Sequence, residues 1–243
     1  MGSPDDMPIQ AVLLDLYETL VRPDWARLRT GRDRLAARAG ADLAAMREQW
    51  QLTHERRMRG LHGGLEGDLG AILEACGVRA TRSLLDELAA LEHANWGGGV
   101  EVFPDVLDEL ARLRAAGYRL AIVSNASCEA GGVVVALALD RAVDAVVLSC
   151  DVGALKPEPE ILRIALERLG SAPSRAILVD DVPANLDAAV AMGMRTALMV
   201  RDARAAPTSG QAHPRIGDLS QLWPLLVAGE VGLQVEQPER VDG

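Results

Sequence analysis

Lys156 is the one lysine among 25 basic residues, set in Ala154-Leu155-Lys156-Pro157-Glu158-Pro159. Arginine replaces lysine at most solvated positions, but a compact ammonium is needed where a point charge must sit between anions, because the guanidinium is a broad planar fork. Carboxylates that could surround it end short apolar runs: Asp15 follows Ala11-Val12-Leu13-Leu14, and Asp180-Asp181 follow Ala176-Ile177-Leu178-Val179. A further run, Arg119-Leu120-Ala121-Ile122-Val123, ends in Ser124-Asn125. These residue types suit covalent hydrolysis. A carboxylate such as Asp15 can attack a substrate and form an intermediate that water later hydrolyses. The Ser124 hydroxyl and the Asn125 amide suit substrate oxygens, although the pair would equally suit an ordinary turn. An acidic pair at one strand end offers the oxygen ligands that a hard ion such as Mg2+ takes.

Each of these side chains needs an element to present it. The apolar runs read as buried strands, and Ala145-Val146-Val147-Leu148 and Arg195-Thr196-Ala197-Leu198-Met199-Val200 add two more. Amphipathic helical stretches over 105–116, 159–169 and 184–192 stand between them. Strands alternating with helices predict an α/β fold with a doubly wound parallel sheet and a Rossmann-like core, whose ligands bind beyond the carboxyl ends of the strands. Between residues 22 and 99 that pattern lapses into helical periodicity over 28–39, 43–58, 67–76 and 83–95, with no convincing strand. The expected organisation is a core of residues 9–21 and 100–228, an inserted helical cap domain of 22–99, and flexible tails at 1–8 and 229–243. Gly97-Gly98-Gly99 is expected to form a return hinge, and Gly60-Leu61-His62-Gly63-Gly64 a mobile loop.

The ordered set Asp15-Leu16-Tyr17-Glu18-Thr19-Leu20, Ser124-Asn125, Lys156-Pro157 and Asp180-Asp181 with Asn185 resembles the four motifs of the haloacid dehalogenase superfamily, over about Ile9 to Leu226. The resemblance implies that Asp15 is the nucleophile and that Thr19, Ser124, Asn125 and Lys156 contact the substrate. It implies further that Mg2+ is held by Asp15, the Tyr17 carbonyl, Asp180 and Asp181. Phosphatases of this family usually carry a second aspartate where this chain has Tyr17, so the acid that protonates the leaving oxygen is missing. A tyrosine, with a pKa of about 10, donates a proton but is a poor base near neutrality. Glu18 is a candidate replacement. The 2-haloacid dehalogenases also carry Tyr at that position, but they lack the acidic pair, and residues 25–38 contain no aromatic-rich stretch suited to a haloalkanoate. The leading expectation is a Mg2+-dependent phosphohydrolase of a small phosphorylated metabolite. Metal-free halide displacement by Asp15 is the second, and a member that binds a ligand or partner without turnover is the third.

Composition narrows the classes. A net charge of -10 with 3% aromatic residues argues against nucleic acid, which would repel the chain and find few stacking surfaces. The cysteines Cys76, Cys128 and Cys150 follow no metal-ligand spacing and read as free thiols. No long apolar segment or basic leader is evident, so a cytoplasmic location without membrane contact is expected. Among the histidines, His54, His93 and His213 read as surface residues, whereas His62 sits in a loop that could reach substrate. Arg56, Arg57 and Arg59 beside that loop could clamp a second anionic group or form a solvated helix end. Trp25, Trp50 and Trp96 read as core of the insertion or its contact with the sheet.

Overall fold

The computed structural model describes residues 8–202 and 213–227. The first strand, β1 (Ala11–Leu14), is followed by a short strand β2 (Val21–Pro23) and the helices α1 (Trp25–Ala39), α2 (Leu43–Leu52), α3 (His54–Met58), α4 (Leu65–Ala75) and α5 (Arg82–Gly97). The chain returns through β3 (Val100–Val102), α6 (Val106–Ala115), β4 (Arg119–Ser124), α7 (Glu129–Ala136), α8 (Leu139–Ala142), β5 (Ala145–Leu148) and α9 (Ser149–Val152). Beyond these lie α10 (Pro159–Leu169), β6 (Ala176–Asp180), α11 (Pro183–Ala191), β7 (Arg195–Met199), β8 (Arg215–Ile216) and α12 (Trp223–Val227). The expected tails fall almost entirely in residues 1–7 and 228–243, which lie outside the described residues.

Six strands form one parallel sheet in the order β5-β4-β1-β6-β7-β8, the doubly wound arrangement that the sequence predicted. The runs are apolar throughout because both faces are covered. Val12, Leu14, Ile122 and Val179 enter one core, while Leu13, Ala121, Val123 and Leu178 enter the other. Helix α10 shows how a helix is seated. Pro159 opens it, Gly170 closes it at φ 57°, and Ile161, Leu162, Ala165, Leu166 and Leu169 are buried on one stripe. Each large aliphatic side chain so buried contributes about 1.5–3 kcal/mol.

The insertion has its own apolar cluster, with Leu35, Met46, Trp50, Leu69, Ile72 and Leu88 among its members. Two features differ from expectation. The stretch 43–58 is not one helix: it breaks at Thr53, whose Oγ1 donates to the Gln49 carbonyl at 2.7 Å, a back-bond that competes with helix continuation. The junction, expected without strand, contains the antiparallel ribbon of β2 and β3, with Val21 opposite Val102 and Pro23 opposite Val100. Three residues per strand are too few for an alternation to register. The same brevity hid β8, while Gly131-Gly132 and three valines in α7 give it a weak helical signature that packing overrides.

The glycines of the insertion have steric reasons. A Cβ on Gly99 would stand 2.9 Å from the Asn95 carbonyl oxygen, and one on Gly60, where φ is +65°, 2.2 Å from the Cys150 carbonyl oxygen. The loop containing Gly60 therefore presses on the core at this point.

Candidate active site

The site lies where the carboxyl ends of β1, β4 and β6 meet. Leu14 is in register with Ile122 on one side and Val179 on the other, so the next residues on β1 and β6 set Asp15 beside Asp180, with Ser124 one residue further along β4. Lys156 supplies the ammonium between them: its Nζ donates to Asp15 Oδ1 at 2.5 Å and to Asp180 Oδ2 at 2.7 Å, with its side chain 1% exposed. Two carboxylates around one buried point charge is the environment that a lone lysine suggested. Asp180 is fully engaged, since its Oδ1 also accepts from Val182 N and from Asn185 Nδ2, both at 2.9 Å. Asp181 differs. It lies half-buried in a cavity of about 210 Å3 that also holds Glu18, and it forms no ion pair among the described residues.

The electrostatics follow from three carboxylates sharing one cation. Burial raises the pKa of Asp15, and Lys156 offsets this only in part while Asp180 adds to it. Burial and then the Asp180 charge push Asp181 up to about 6. Burial alone would lower the Lys156 ammonium, but Asp15 and Asp180 outweigh it and hold it above the ordinary lysine value. Thr19 Oγ1 and Ser124 Oγ are buried hydroxyls without hydrogen-bond partners among the described residues. A buried hydroxyl left unpaired is costly, so each calls for an explanation.

The two residues after Asp15–Leu16 take unusual positions. Glu18 adopts φ 59°, a left-handed conformation that costs a residue with a Cβ about 1 kcal/mol. Its Oε1 accepts from Trp25 Nε1 at 2.8 Å, which ties the strand end to α1. The Tyr17 ring packs against Trp25 at 6.0 Å and Trp96 at 5.7 Å between centroids. Burial, then the charges of Glu129 and Asp15, raise the phenol further above its already high value, so it stays protonated.

Asn125 and His62 occupy places other than those expected. The Asn125 amide is committed at both ends to Lys156: Nδ2 donates to the Lys156 carbonyl at 2.8 Å and Oδ1 accepts from Lys156 N at 2.7 Å. These two bonds fasten the Lys156 backbone, and Asn125 also lines the cavity beside Tyr17. His62 bonds Asp68 through Nδ1 at 2.8 Å and accepts from Arg56 Nε at 3.2 Å, so both ring nitrogens are used inside the insertion. His54, read from sequence as a surface residue, is exposed and also lines a cavity, where partial burial followed by Arg57 and Arg32 lowers its pKa. His213, also expected at the surface, is instead buried, bonded to Thr196 Oγ1 at 2.9 Å and Asp187 at 3.1 Å.

His54 belongs to a cavity of about 280 Å3 between the insertion and the loop after β4. Tyr17, Trp25, Trp50 and Trp96 supply its rings and Arg32 and Arg57 its cations. Trp50 and Trp96 also pack in the insertion's cluster and the main core, as expected, but their cavity faces were not legible from the sequence. The arginine cluster divides. Arg59 spans from the insertion to the core, donating to the Gly153 carbonyl at 2.9 Å and pairing with Glu158. Arg57 is buried. A second tie across the same boundary runs from Ser149 Oγ to the Met58 carbonyl at 2.6 Å.

Comparison with known proteins adds relatives of two activities. The family model of the haloacid dehalogenase-like hydrolases matches residues 9–193. The chain is 32% identical over 131 residues to (S)-2-haloacid dehalogenase 4A of Burkholderia cepacia, a match over 52% of this chain that spans just over half, 56%, of that protein. It is 28% identical over 234 residues to Phosphatase MT3486 of Mycobacterium tuberculosis, covering 90% of this chain and 98% of that one. Among solved structures, the fold is similar to that of 2-haloacid dehalogenase from Pseudomonas syringae pv. Tomato DC3000, with a TM-score of 0.72, 24% identity, and coverage of 90% and 98%.

Proposed function

Because this chain belongs to the haloacid dehalogenase-like hydrolases, we propose that it is a Mg2+-dependent phosphohydrolase of a small phosphorylated metabolite, with residues 22–99 as its cap. The observation that carries this reading is the charge at the site: among the described residues Asp15 and Asp180 pair with Lys156 and with no other cation, and Asp181 is left with a raised pKa and no ion pair. Among the described residues no three His, Cys, Asp or Glu side chains form a metal cage by themselves. That accords with an ion held partly by substrate and water, as Mg2+ usually is. Asp15, the Tyr17 carbonyl and Asp181 would hold it, with Asp180 in support. When bound, the ion would neutralise charge on the phosphoryl oxygens.

The chain's own residues do the rest. The bond from Lys156 fixes the Asp15 carboxylate through Oδ1 and leaves Oδ2 to attack phosphorus, expelling the alcohol oxygen and forming an acyl phosphate on Asp15. Ser124 and Lys156 steady the phosphoryl oxygens. Water then attacks the same phosphorus, returning inorganic phosphate and free Asp15. Tyr17 can donate a proton but not take one up readily, and Glu18, within reach of Asp181 in the adjoining cavity, is the carboxylate available as acid or base.

The aromatic cavity favours a second reading, halide displacement by the same Asp15 without metal. The rings missing from any one stretch of sequence assemble from positions 17, 25, 50 and 96. One screen separates the two. Phosphate esters and 2-chloropropionate are each incubated with Mg2+ and with EDTA, and phosphate and chloride are measured. Phosphate release that vanishes in EDTA supports the phosphohydrolase; chloride release unaffected by EDTA replaces it with the dehalogenase.

A further inference from the structure

The cavity beside Tyr17 has two guanidiniums in its wall, of which only one has a bonded carboxylate among the described residues. Two guanidiniums lie over the Trp50 ring, Arg32 at 4.7 Å and Arg57 at 4.6 Å from its centroid. Arg32 is paired with the fully buried Glu92, which accepts from Arg32 Nε at 3.2 Å and from Trp96 Nε1 at 3.0 Å. Arg57 has no such partner. It is 2% exposed, donates from Nη2 to the Trp50 carbonyl at 2.9 Å and from Nε to Thr53 Oγ1 at 3.3 Å, and meets no carboxylate in a salt bridge among the described residues. Glu129, Asp68 and Glu92 act on it only through space, and no Asp or Glu lines the cavity.

A buried guanidinium without a bonded anion is costly, and arginine is the residue suited to bidentate recognition of carboxylate or phosphate. Burial and then the neighbouring Arg32 lower the Arg57 pKa, while Asp68, Glu129 and Glu92 act the other way. The remaining walls are flat rings, with Met58 and Ala126 beside them. Asn125, Ala126 and Ser127 continue directly from Ser124, so the cavity adjoins the reacting end of the site.

We propose that this cavity is the specificity site for a second anionic group of the substrate, a carboxylate or a further phosphate carried on a planar apolar body, with Arg57 as the residue that reads it. The substrate class, a phosphate ester with a remote anion, rests on the phosphohydrolase reading; the anion site itself does not.

The test compares 3-carboxyphenyl phosphate, its uncharged isostere 3-carbamoylphenyl phosphate, and hydroquinone bisphosphate on the full chain with Mg2+. The carboxylate ester should exceed the amide in kcat/KM by about 10- to 100-fold, the worth of one charge-assisted hydrogen bond. The bisphosphate decides whether phosphate serves as well. Arg57→Met should bring the carboxylate-to-amide ratio close to one and Arg57→Lys should restore part of it. A ratio near one in the unaltered protein, or a ratio unchanged in Arg57→Met, overturns the proposal. Should Arg57→Met fail to fold, the unaltered protein still decides through that ratio and through competitive inhibition by benzoate against benzamide. Should no phosphate ester be hydrolysed, thermal stabilisation by isophthalate but not isophthalamide, lost in Arg57→Met and partly kept in Arg57→Lys, upholds the anion site while the phosphohydrolase falls; equal effects of the two compounds overturn the site.

Discussion

At the scale of single residues, the centre of the molecule is an ammonium wedged between two carboxylates. Nζ contacts of 2.5 and 2.7 Å on Lys156 leave no room for a planar fork. Lys156→Arg is therefore expected to be nearly as damaging as Lys156→Ala in kcat/KM. The alanine variant should also lose about 3–5 kcal/mol of stability in urea titrations, because it strands two buried carboxylates. An active, stable arginine variant would contradict the geometry. Asp15→Asn should stay folded by circular dichroism, since the amide is nearly isosteric, yet lose turnover by about three orders of magnitude or more, as the loss of a nucleophile commonly does. Residual turnover of a few per cent would remove Asp15 from that role.

Elements hold these residues by simple means. The strand ends converge because β1 lies between β4 and β6 in register, and Asn125 fastens the loop carrying Lys156. Helix α10 follows that loop directly and anchors it against the sheet through its apolar stripe. Leu162 is fully buried there. Leu162→Ala should cost about 2–5 kcal/mol, read from the shift of the urea midpoint. Activity per folded molecule should change far less than stability. A drop in kcat without loss of stability would show that α10 acts on the site itself.

The whole molecule concentrates negative charge where it works. Asp181 titrates near 6 in the folded protein against 3.8 unfolded. Folding thus takes up a proton between those values, and the metal-free protein loses stability as the pH climbs through that window. A cation that binds ionised carboxylates competes with those protons. Stabilisation by Mg2+ should consequently be small near about pH 5, grow through about pH 6 and level off above about pH 7. Asp181→Ala should abolish most of it. Melting curves with and without Mg2+ across this range check the claim, and a shift that is absent or independent of pH would speak for the metal-free reading. Among the described residues no helix is long and apolar enough to cross a membrane, and the three cysteines are free thiols.

The amino-acid sequence by itself determined the parallel sheet, the helical insertion and the cluster of Asp15, Ser124 and Asp180, because each of these residues ends or follows an apolar run and a parallel sheet carries such ends to one edge, while Lys156 stood out in its loop as the one lysine. That signal is local and survives in one dimension. Only the tertiary structure decided what the helices of the insertion enclose. Their periodicity marks a buried stripe but not the partner it meets, so the cavity formed by Tyr17, Trp25, Trp50 and Trp96, and the burial of Arg57 over Trp50, were invisible in the chain. The partners of Asn125 and His62 were hidden for the same reason: an amide or an imidazole is equally suited to substrate and to backbone or carboxylate. Which of these it meets depends on contacts between residues as far apart as 125 and 156, set by how the elements pack.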